Sequence, residues 1–269
     1  MYKGIDVSRY NGKIDWKKVK NAGIQFAMLR IGTAYNGGSK DTRFEQNYKD
    51  AKEQGIYVGA YFYSYAKTVS QAEKEADLVL TWLKDKQFEY PIAFDIEDNS
   101  QKKLGKQLIS EIIKTFCNKL EKAGYFVSVY SSKSWFETLI DDEVKSKYDT
   151  WVAQWSDKCT YKDNYGIWQN SSKGSIKGIN GNVDTDIAYK NYPNIMKNNS
   201  LNGFTKSNQV TIKKGDKVKV TNPINYDTGK KFKLWFKEYT VLSIKGERAV
   251  IGKLGVTTSA IHVKYLTKV

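Results

Sequence analysis

Histidine is almost absent from this 269-residue chain; the single one is His262, close to the C-terminus. A Ser–His–Asp hydrolase, a Cys–His peptidase and a His-ligated zinc amidase each need histidine beside their other catalytic groups. Those classes fall away unless His262 reaches back along the whole chain. Cysteine is nearly as scarce. Cys117 and Cys159 form no Cys-x-x-Cys pair, which removes redox and zinc-ribbon chemistry, and Cys117 sits in a helical pattern that suits a buried thiol better than a disulfide. Long apolar runs are missing too. The opening MYKGIDVSRYNG has no leader-like apolar stretch, and no window approaches the roughly 20 apolar residues of a membrane span. The expectation is a chain made soluble in the cytoplasm, with no membrane insertion, that needs a separate agent for release if it acts outside.

Aromatic side chains, by contrast, are plentiful. Seven Trp and nineteen Tyr exceed what packing alone requires; core filling accounts for most of them, and a surplus can line a groove for a ring-shaped ligand. Charge is unevenly spread. From Phe204 onward there are 14 Lys or Arg against four Asp or Glu, whereas the preceding 203 residues carry 30 against 25. A basic C-terminal part suits a polyanion, either nucleic acid or an anionic cell-surface polymer.

Over the first 190 residues short β-like runs alternate with helical patterns. The strand expectations are 3–7, 25–31, 57–65, 91–97, 125–131, 150–155, 166–169 and 182–187. Helices are expected over 43–54, ended by Gly55; over 71–84, with Ser70 and Glu73 as a capping box; and over 107–122, ended by Gly124. In the last, Leu108, Ile112, Phe116 and Leu120 recur every fourth residue beside Ile109 and Ile113, which makes its inner face apolar. Eight strands alternating with helices predict an α/β fold, a TIM-like (β/α) barrel. Past Trp151 the gaps are too short for full helices, so the barrel is expected to be irregular and closed by strand-rich connections. The Asn-rich segment 191–209 reads as a linker. Alternating runs at 217–221, 231–244, 248–252 and 261–266, broken by Gly229, Gly246 and Gly255, predict a small all-β barrel over 210–269.

The stretch YPIAFDIEDNS at 90–100 carries the chemistry. Strand alternation puts Ala93, Asp95 and Glu97 on one face and Ile92, Phe94 and Ile96 on the other, so two carboxylates are aimed the same way. In a (β/α) barrel the site forms at the C-terminal strand ends. Asp6 ends the first predicted strand and Asp184 lies in the eighth, beside the first when the barrel closes, so four carboxylates from three strands would converge. With no histidine near, chemistry must run on carboxylates, as glycoside hydrolysis does. Glu97 has the longer reach, and Asp95 beside it would lift its pKa, which makes Glu97 the acid; Asp95 and Asp184 would stabilise the cationic transition state. A divalent metal on Asp6, Asp95 and Glu97 is the rival explanation. Tyr61, Tyr63, Trp155 and Trp168 lie near strand ends, where ring faces can carry sugars. A glycan-binding barrel without activity would need these aromatics but not the Asp95/Glu97 pair. A nucleic-acid enzyme would want a metal and a basic groove beside its acids, whereas here acids and excess positive charge fall in different parts of the chain.

The stretches GIDVSRYNG, GAYFYSYA, FDIED, WVAQW, IWQN and GINGNVDTDIAY occur in an order and spacing that resembles glycoside hydrolase family 25, the Chalaropsis-type lysozymes, over residues 2–190. The resemblance implies an irregular β/α barrel that cleaves the β-1,4 bond between N-acetylmuramic acid and N-acetylglucosamine in peptidoglycan, with no cofactor or metal. It implies Glu97 as the acid, Asp95, Asp6 and Asp184 as the other acidic site residues, and Tyr61, Tyr63, Trp155 and Trp168 as glycan contacts. One departure is Phe62, where many members have histidine; a direct hydrogen bond to substrate would be missing there. An adjacent Asp-x-Glu pair also resembles glycosidases in which the substrate's 2-acetamido group attacks and the aspartate steadies it, while Asp95 as direct nucleophile remains the alternative. The C-terminal module resembles a bacterial SH3-like wall-binding domain suited to teichoic acids or other wall anions. Together these parts resemble a phage endolysin released by a holin; an autolysin or bacteriocin-associated lysin has the same architecture.

Overall fold

The computed structural model describes residues 1–205 and 212–269. The chain forms two compact units, Met1–Lys206 and Ser207–Val269. The first contains strands β1 Tyr2–Val7, β2 Phe26–Thr33, a two-residue β3 Ser39–Lys40, β4 Tyr57–Tyr63, β5 Ile92–Asp95, β6 Val127–Ser132, β7 Asp149–Ala153, β8 Ile167–Gly174 and β9 Val183–Ala188. Its helices are α1 Trp16–Asn21, α2 Phe44–Glu53, α3 Val69–Leu83, α4 Lys106–Lys122, α5 Lys133–Thr138, α6 Asp142–Lys147 and α7 Tyr192–Asn199. Strand order β1-β9-β8-β7-β6-β5-β4-β2, with β1 also paired to β2, closes an eight-stranded barrel.

Seven barrel strands run parallel, but β9 is antiparallel to both neighbours, β1 and β8. The barrel therefore departs from all-parallel pairing at its closing strand. The link from β8 to β9 is too short for a crossover helix, and only an antiparallel return fits such a connection.

Period-two alternation divides the core into two layers. Outward-facing Ile5, Val58, Phe62, Ile92, Phe94 and Val129 pack beneath the helices. The α4 stripe of Ile109, Ile112, Ile113, Phe116 and Leu120 is buried against them. Phe116 stacks on Phe94 at 4.2 Å and on Phe62 at 6.0 Å between ring centroids; a buried ring of this kind stabilises the fold by about 1.5–3 kcal/mol. Gly55 and Gly124 follow α2 and α4 with φ of 66° and 86°, the left-handed conformation in which helices commonly stop at glycine. The cap of α3 differs from expectation. Its N-cap is Thr68, whose hydroxyl accepts from Gln71 N at 3.2 Å, while Ser70 already lies inside the helix; the earlier hydroxyl captures the free amide two residues sooner.

The barrel interior holds Phe26, Met28, Tyr90, Ala93, Tyr130, Trp151 and Ile167, and α7 adds Tyr192 and Met196 to it. Tyr90 stacks on Phe26 at 4.2 Å and meets Tyr192 at 5.0 Å. The expected linker over 191–209 is thus replaced, through residue 205, by a helix and turn of the barrel itself. Tyr192 and Met196, four apart on one helix face, are the apolar signal hidden among asparagines. Asn202 then fastens the strand entries. It is fully buried, its Oδ1 accepts from Phe126 N at 2.7 Å, and its Nδ2 donates to Tyr90 O at 2.8 Å. Residues 206–209 of that expected linker lie outside the described residues.

The second unit is a five-stranded antiparallel sheet, order β13-β12-β11-β10-β14, with β10 Lys217–Val220, β11 Tyr239–Lys245, β12 Arg248–Lys253, β13 Val256–His262 and β14 Leu266–Lys268. Val218, Tyr239, Val241, Ala249, Ile251, Ile261 and Leu266 form its core. Two expected runs are corrected: 231–244 shortens to Tyr239 onward, and 261–266 is split by a 3-10 turn at Val263–Tyr265. His262 belongs to this unit, where its Nδ1 accepts from Lys264 N.

Candidate active site

One end of the barrel gathers the carboxylates. Asp6 lies near the end of β1 and Asp95 ends β5, both buried. Glu97 lies two residues beyond the strand, half-buried. Asp184 is the second residue of β9 and pairs in register with Asp6. It reaches this end only because β9 runs backwards, so a residue near the start of that strand meets residues at the ends of the others. Counting round the barrel, β9 stands four strands from β5 in either direction, so Asp184 faces the Asp95/Glu97 pair across the mouth. Asp98 serves its own turn instead; its side chain accepts from Ser100 N at 2.9 Å and caps the segment Asn99–Leu104.

Asp186, not among the residues expected from the sequence, joins the cluster. It is buried, accepts from Trp151 Nε1 at 2.8 Å and makes a carboxyl–carboxyl contact with Asp6. The signal was present: Asp184 and Asp186 are two apart, the same alternation that singled out Asp95 and Glu97. Gln169, also unforeseen, organises this side. Its Nε2 donates to Asp6 Oδ2 at 2.8 Å, and its Oε1 accepts from Tyr130 Oη at 3.0 Å and from Trp155 Nε1 at 2.9 Å. These partners orient the amide and tie an aromatic at the rim to a carboxylate in the interior.

Burial and like charge push the cluster toward protonation. Asp6 is raised by burial and then by Asp186 and Asp184, and Asp186 is raised to about 8, mainly by burial. Asp95 is raised by burial and by Glu97, with Arg30 pulling the other way. Glu97 is raised to about 7 by burial, then by Asp184 and Asp98. Burial therefore leads where proximity of Asp95 was expected to. Asp95 and Glu97 titrate as a pair, so that one proton is held between two carboxyl groups that resist ionising together. Two buried oxygens of the cluster, Asp95 Oδ1 and Asp186 Oδ2, find no hydrogen-bond partner among the described residues.

The aromatics divide. Tyr61 and Tyr63 face inward on β4; Tyr61 packs edge-on against Trp151 at 5.9 Å, and Tyr63 Oη lies 3.5 Å from Asp98 Oδ2. Trp155 is 64% exposed at the rim, free to carry a ring. Trp168 is corrected: it points outward between inward-facing Ile167 and Gln169, is buried in the outer layer, and donates to Gln154 O at 2.8 Å. With Trp155 and Ile187 it lines a separate outer cleft of about 410 Å³. Phe62 is likewise fully buried beneath the helices, so the side chain at that position cannot touch a ligand in the mouth. Both thiols are free, and Cys117 is buried as expected. Among the described residues no three His, Cys, Asp or Glu side chains are grouped closely enough to hold a metal ion.

A closed, irregular barrel with an acidic mouth defines a glycosidase-type scaffold, and sequence comparison names its family. The profile of glycosyl hydrolases family 25 matches residues 5–179; the chain belongs to that family, and the match lies wholly within the first unit. It is 30% identical over 198 residues to Lysozyme M1 of Streptomyces globisporus, covering 67% of this chain and 65% of that protein. The modular autolysin LytC of Streptococcus pneumoniae, solved alone and with a synthetic peptidoglycan ligand, superposes with a TM-score of 0.64 at 29% identity, covering 70% of this chain and 46% of that one. The CTP1L endolysin shares the fold, with a TM-score of 0.62 at 24% identity over 74% of this chain and 70% of that one. The chain thus spans just under two thirds of Lysozyme M1 and under half of LytC.

Proposed function

We propose that this chain is an N-acetylmuramidase, cleaving the β-1,4 bond between N-acetylmuramic acid and N-acetylglucosamine in peptidoglycan. The observation that carries this reading is the Asp95/Glu97 pair at the barrel mouth, both raised by burial and Glu97 to about 7, so that a carboxylic acid persists near neutral pH beside a second carboxyl. Relatives named lysozyme and autolysin, and one bound to a peptidoglycan ligand, support the same substrate.

In this scheme Glu97 donates its proton to the glycosidic oxygen as the bond breaks, and the electron pair leaves with the departing sugar. Positive charge grows at the anomeric carbon, where Asp95 stabilises it, either by direct attack or by steadying the substrate's acetamido group. Glu97, now a carboxylate, takes a proton from the incoming water. Both routes retain configuration. Asp184 adds negative potential from the far wall, while Asp6 and Asp186, braced by Gln169 and Trp151, hold that wall in place. Tyr61, Tyr63 and Trp155 contact the glycan.

The test is digestion of purified peptidoglycan, with and without chelator, followed by borohydride reduction. Reduced muramic acid in both conditions is expected. Reduced glucosamine would make the enzyme a glucosaminidase, and activity only without chelator would revive the metal alternative.

We read the second unit as an SH3-like wall-binding module. Trp235 and Phe236 are exposed beside Lys233 and Lys253, whose ammonium groups lie 4.2 and 5.9 Å from the respective ring centroids. Aromatic and cationic groups together suit an anionic wall polymer, and tethering raises local enzyme concentration at an insoluble substrate. We infer a lytic role at the bacterial wall as a phage endolysin, although the same parts would serve an autolysin. The full chain should sediment with purified walls and be released by salt; equal retention on walls stripped of anionic polymer would reject that ligand.

A further inference from the structure

Beside the acidic mouth lies a cleft of opposite character. Its volume is about 490 Å³, and its lining includes Arg9, Tyr10, Arg30, Tyr35, Tyr63 and Tyr65, with no acidic side chain. Tyr35 and Tyr65 have ring centroids 5.7 Å apart, and Tyr65 and Tyr63 are 5.2 Å apart. The row of rings ends at Tyr63, whose hydroxyl reaches Asp98. Tyr63 also lies near enough to Asp95 and Glu97 for their charges to act on its hydroxyl, so the cleft borders the mouth through this one ring.

Its two guanidinium groups are held in different ways. Arg30 is mostly buried and anchored: its Nε and Nη2 lie 2.8 and 2.7 Å from Oδ2 of the fully buried Asp41. The same carboxylate accepts from Arg9 N at 3.0 Å and from Arg43 N at 2.9 Å, so its capacity is filled and it fixes the backbone that carries Arg9. The Arg9 guanidinium itself pairs with no acidic side chain among the described residues. It rests on Tyr10, 5.0 Å from the ring centroid, with Arg30 on the same ring at 4.8 Å. A buried acid thus builds a platform that presents an unneutralised cation at the edge of an anionic mouth.

N-acetylglucosamine is neutral and gives the Arg9 guanidinium nothing to pair with. Muramic acid differs by its lactyl arm, which in peptidoglycan carries a short peptide with free carboxylates. Building on the muramidase reading, we propose that the Arg9–Arg30–tyrosine cleft is a subsite for the stem peptide of peptidoglycan, with a stem carboxylate on Arg9 and the peptide planes against Tyr35 and Tyr65. Guanidinium–carboxylate pairing supplies strength and geometry, and ring faces accept planar amides whatever the side chains. The subsite makes the enzyme read the substituent as well as the sugar, and it favours stem-bearing glycan over chains already stripped of peptide.

The experiment compares wild type with Arg9→Gln and Tyr35→Ala on soluble peptidoglycan fragments that carry stems and on the same fragments after amidase removal of the stems, which leaves the lactyl carboxylate. Both side chains are exposed, so the variants should fold. On stem-bearing fragments Arg9→Gln should raise KM about tenfold, the loss of one charge-assisted pair, with kcat nearly retained. The ratio of kcat/KM on stem-bearing over stem-free fragments should fall by the same factor, and Tyr35→Ala should move that ratio the same way. Equal losses on both substrates would assign the cleft to the sugar chain or to the lactyl carboxylate, and no loss on either would overturn the subsite. If wild type releases no reduced muramic acid from either substrate, the muramidase reading fails instead.

Discussion

Glu97→Gln should fold like wild type and lose about 10³-fold or more in kcat on peptidoglycan, with KM little changed, as removal of a general acid requires. The side chain keeps its size and loses only the proton it would donate. Stability gives an independent reading. Burial raises Glu97 to about 7 from an ordinary value of 4.5, so the native state binds a proton that the unfolded chain has released at intermediate pH. Its ionisation therefore costs stability progressively as pH climbs between those two values, and the amide removes that cost. The melting temperature of Glu97→Gln at pH 8 should equal or exceed that of wild type. A variant that is inactive and also unstable would point to a structural role. The same pKa predicts the alkaline limb of the wild-type profile: activity falls as pH rises through about 7, because the donor must be protonated. A rate flat to pH 9, or Glu97→Gln above a tenth of wild-type turnover, would move the acid role elsewhere.

Asp95→Asn should be nearly as damaging, by about 10³-fold in kcat, whichever route the substrate follows. A nucleophile and a carboxylate that steadies the acetamido group both act by meeting positive charge in a buried site, where electrostatic stabilisation is worth most. The asparagine retains the shape and leaves the Glu97 proton in place. Asp184→Asn is the internal comparison. It faces the pair from the far wall, so its loss should lower kcat less, and it should shift the alkaline limb toward lower pH because its charge is one of the influences that raise Glu97. Were Asp184→Asn the more damaging of the two, the charge-stabilising role would belong to β9 rather than β5.

Much of this site was legible because strands alternate strictly. That rule places Asp95 and Glu97 together, and from Asp184 the same alternation leads to Asp186. It also assigns Trp168 outward once Gln169 is recognised as inward, although sequence alone does not say which face of β8 meets the barrel. The direction of β9 becomes legible only once the bounds of β8 and β9 are known, because the shortness of the link between them is what forces the antiparallel return. The helix at Tyr192–Asn199 was masked by composition: asparagine favours turns, and only two apolar residues betray the buried face. Arg30 and Asp41 were invisible as a pair because their proximity depends on β2 and the turn after β3 meeting in space.

That helix changes where the catalytic part of the protein can be cut. A boundary at residue 190 looks natural in the sequence, yet it would remove Tyr192 and Met196 from beneath Tyr90, and it would remove Asn202, whose backbone also accepts from Phe88 N and donates to Gly124 O. Fragments that end there would expose the floor of the barrel. As a modular part, the barrel is complete only past Phe204, so any recombination event or engineered chimera that exchanges the second unit must splice downstream of that residue to inherit a sealed catalytic unit.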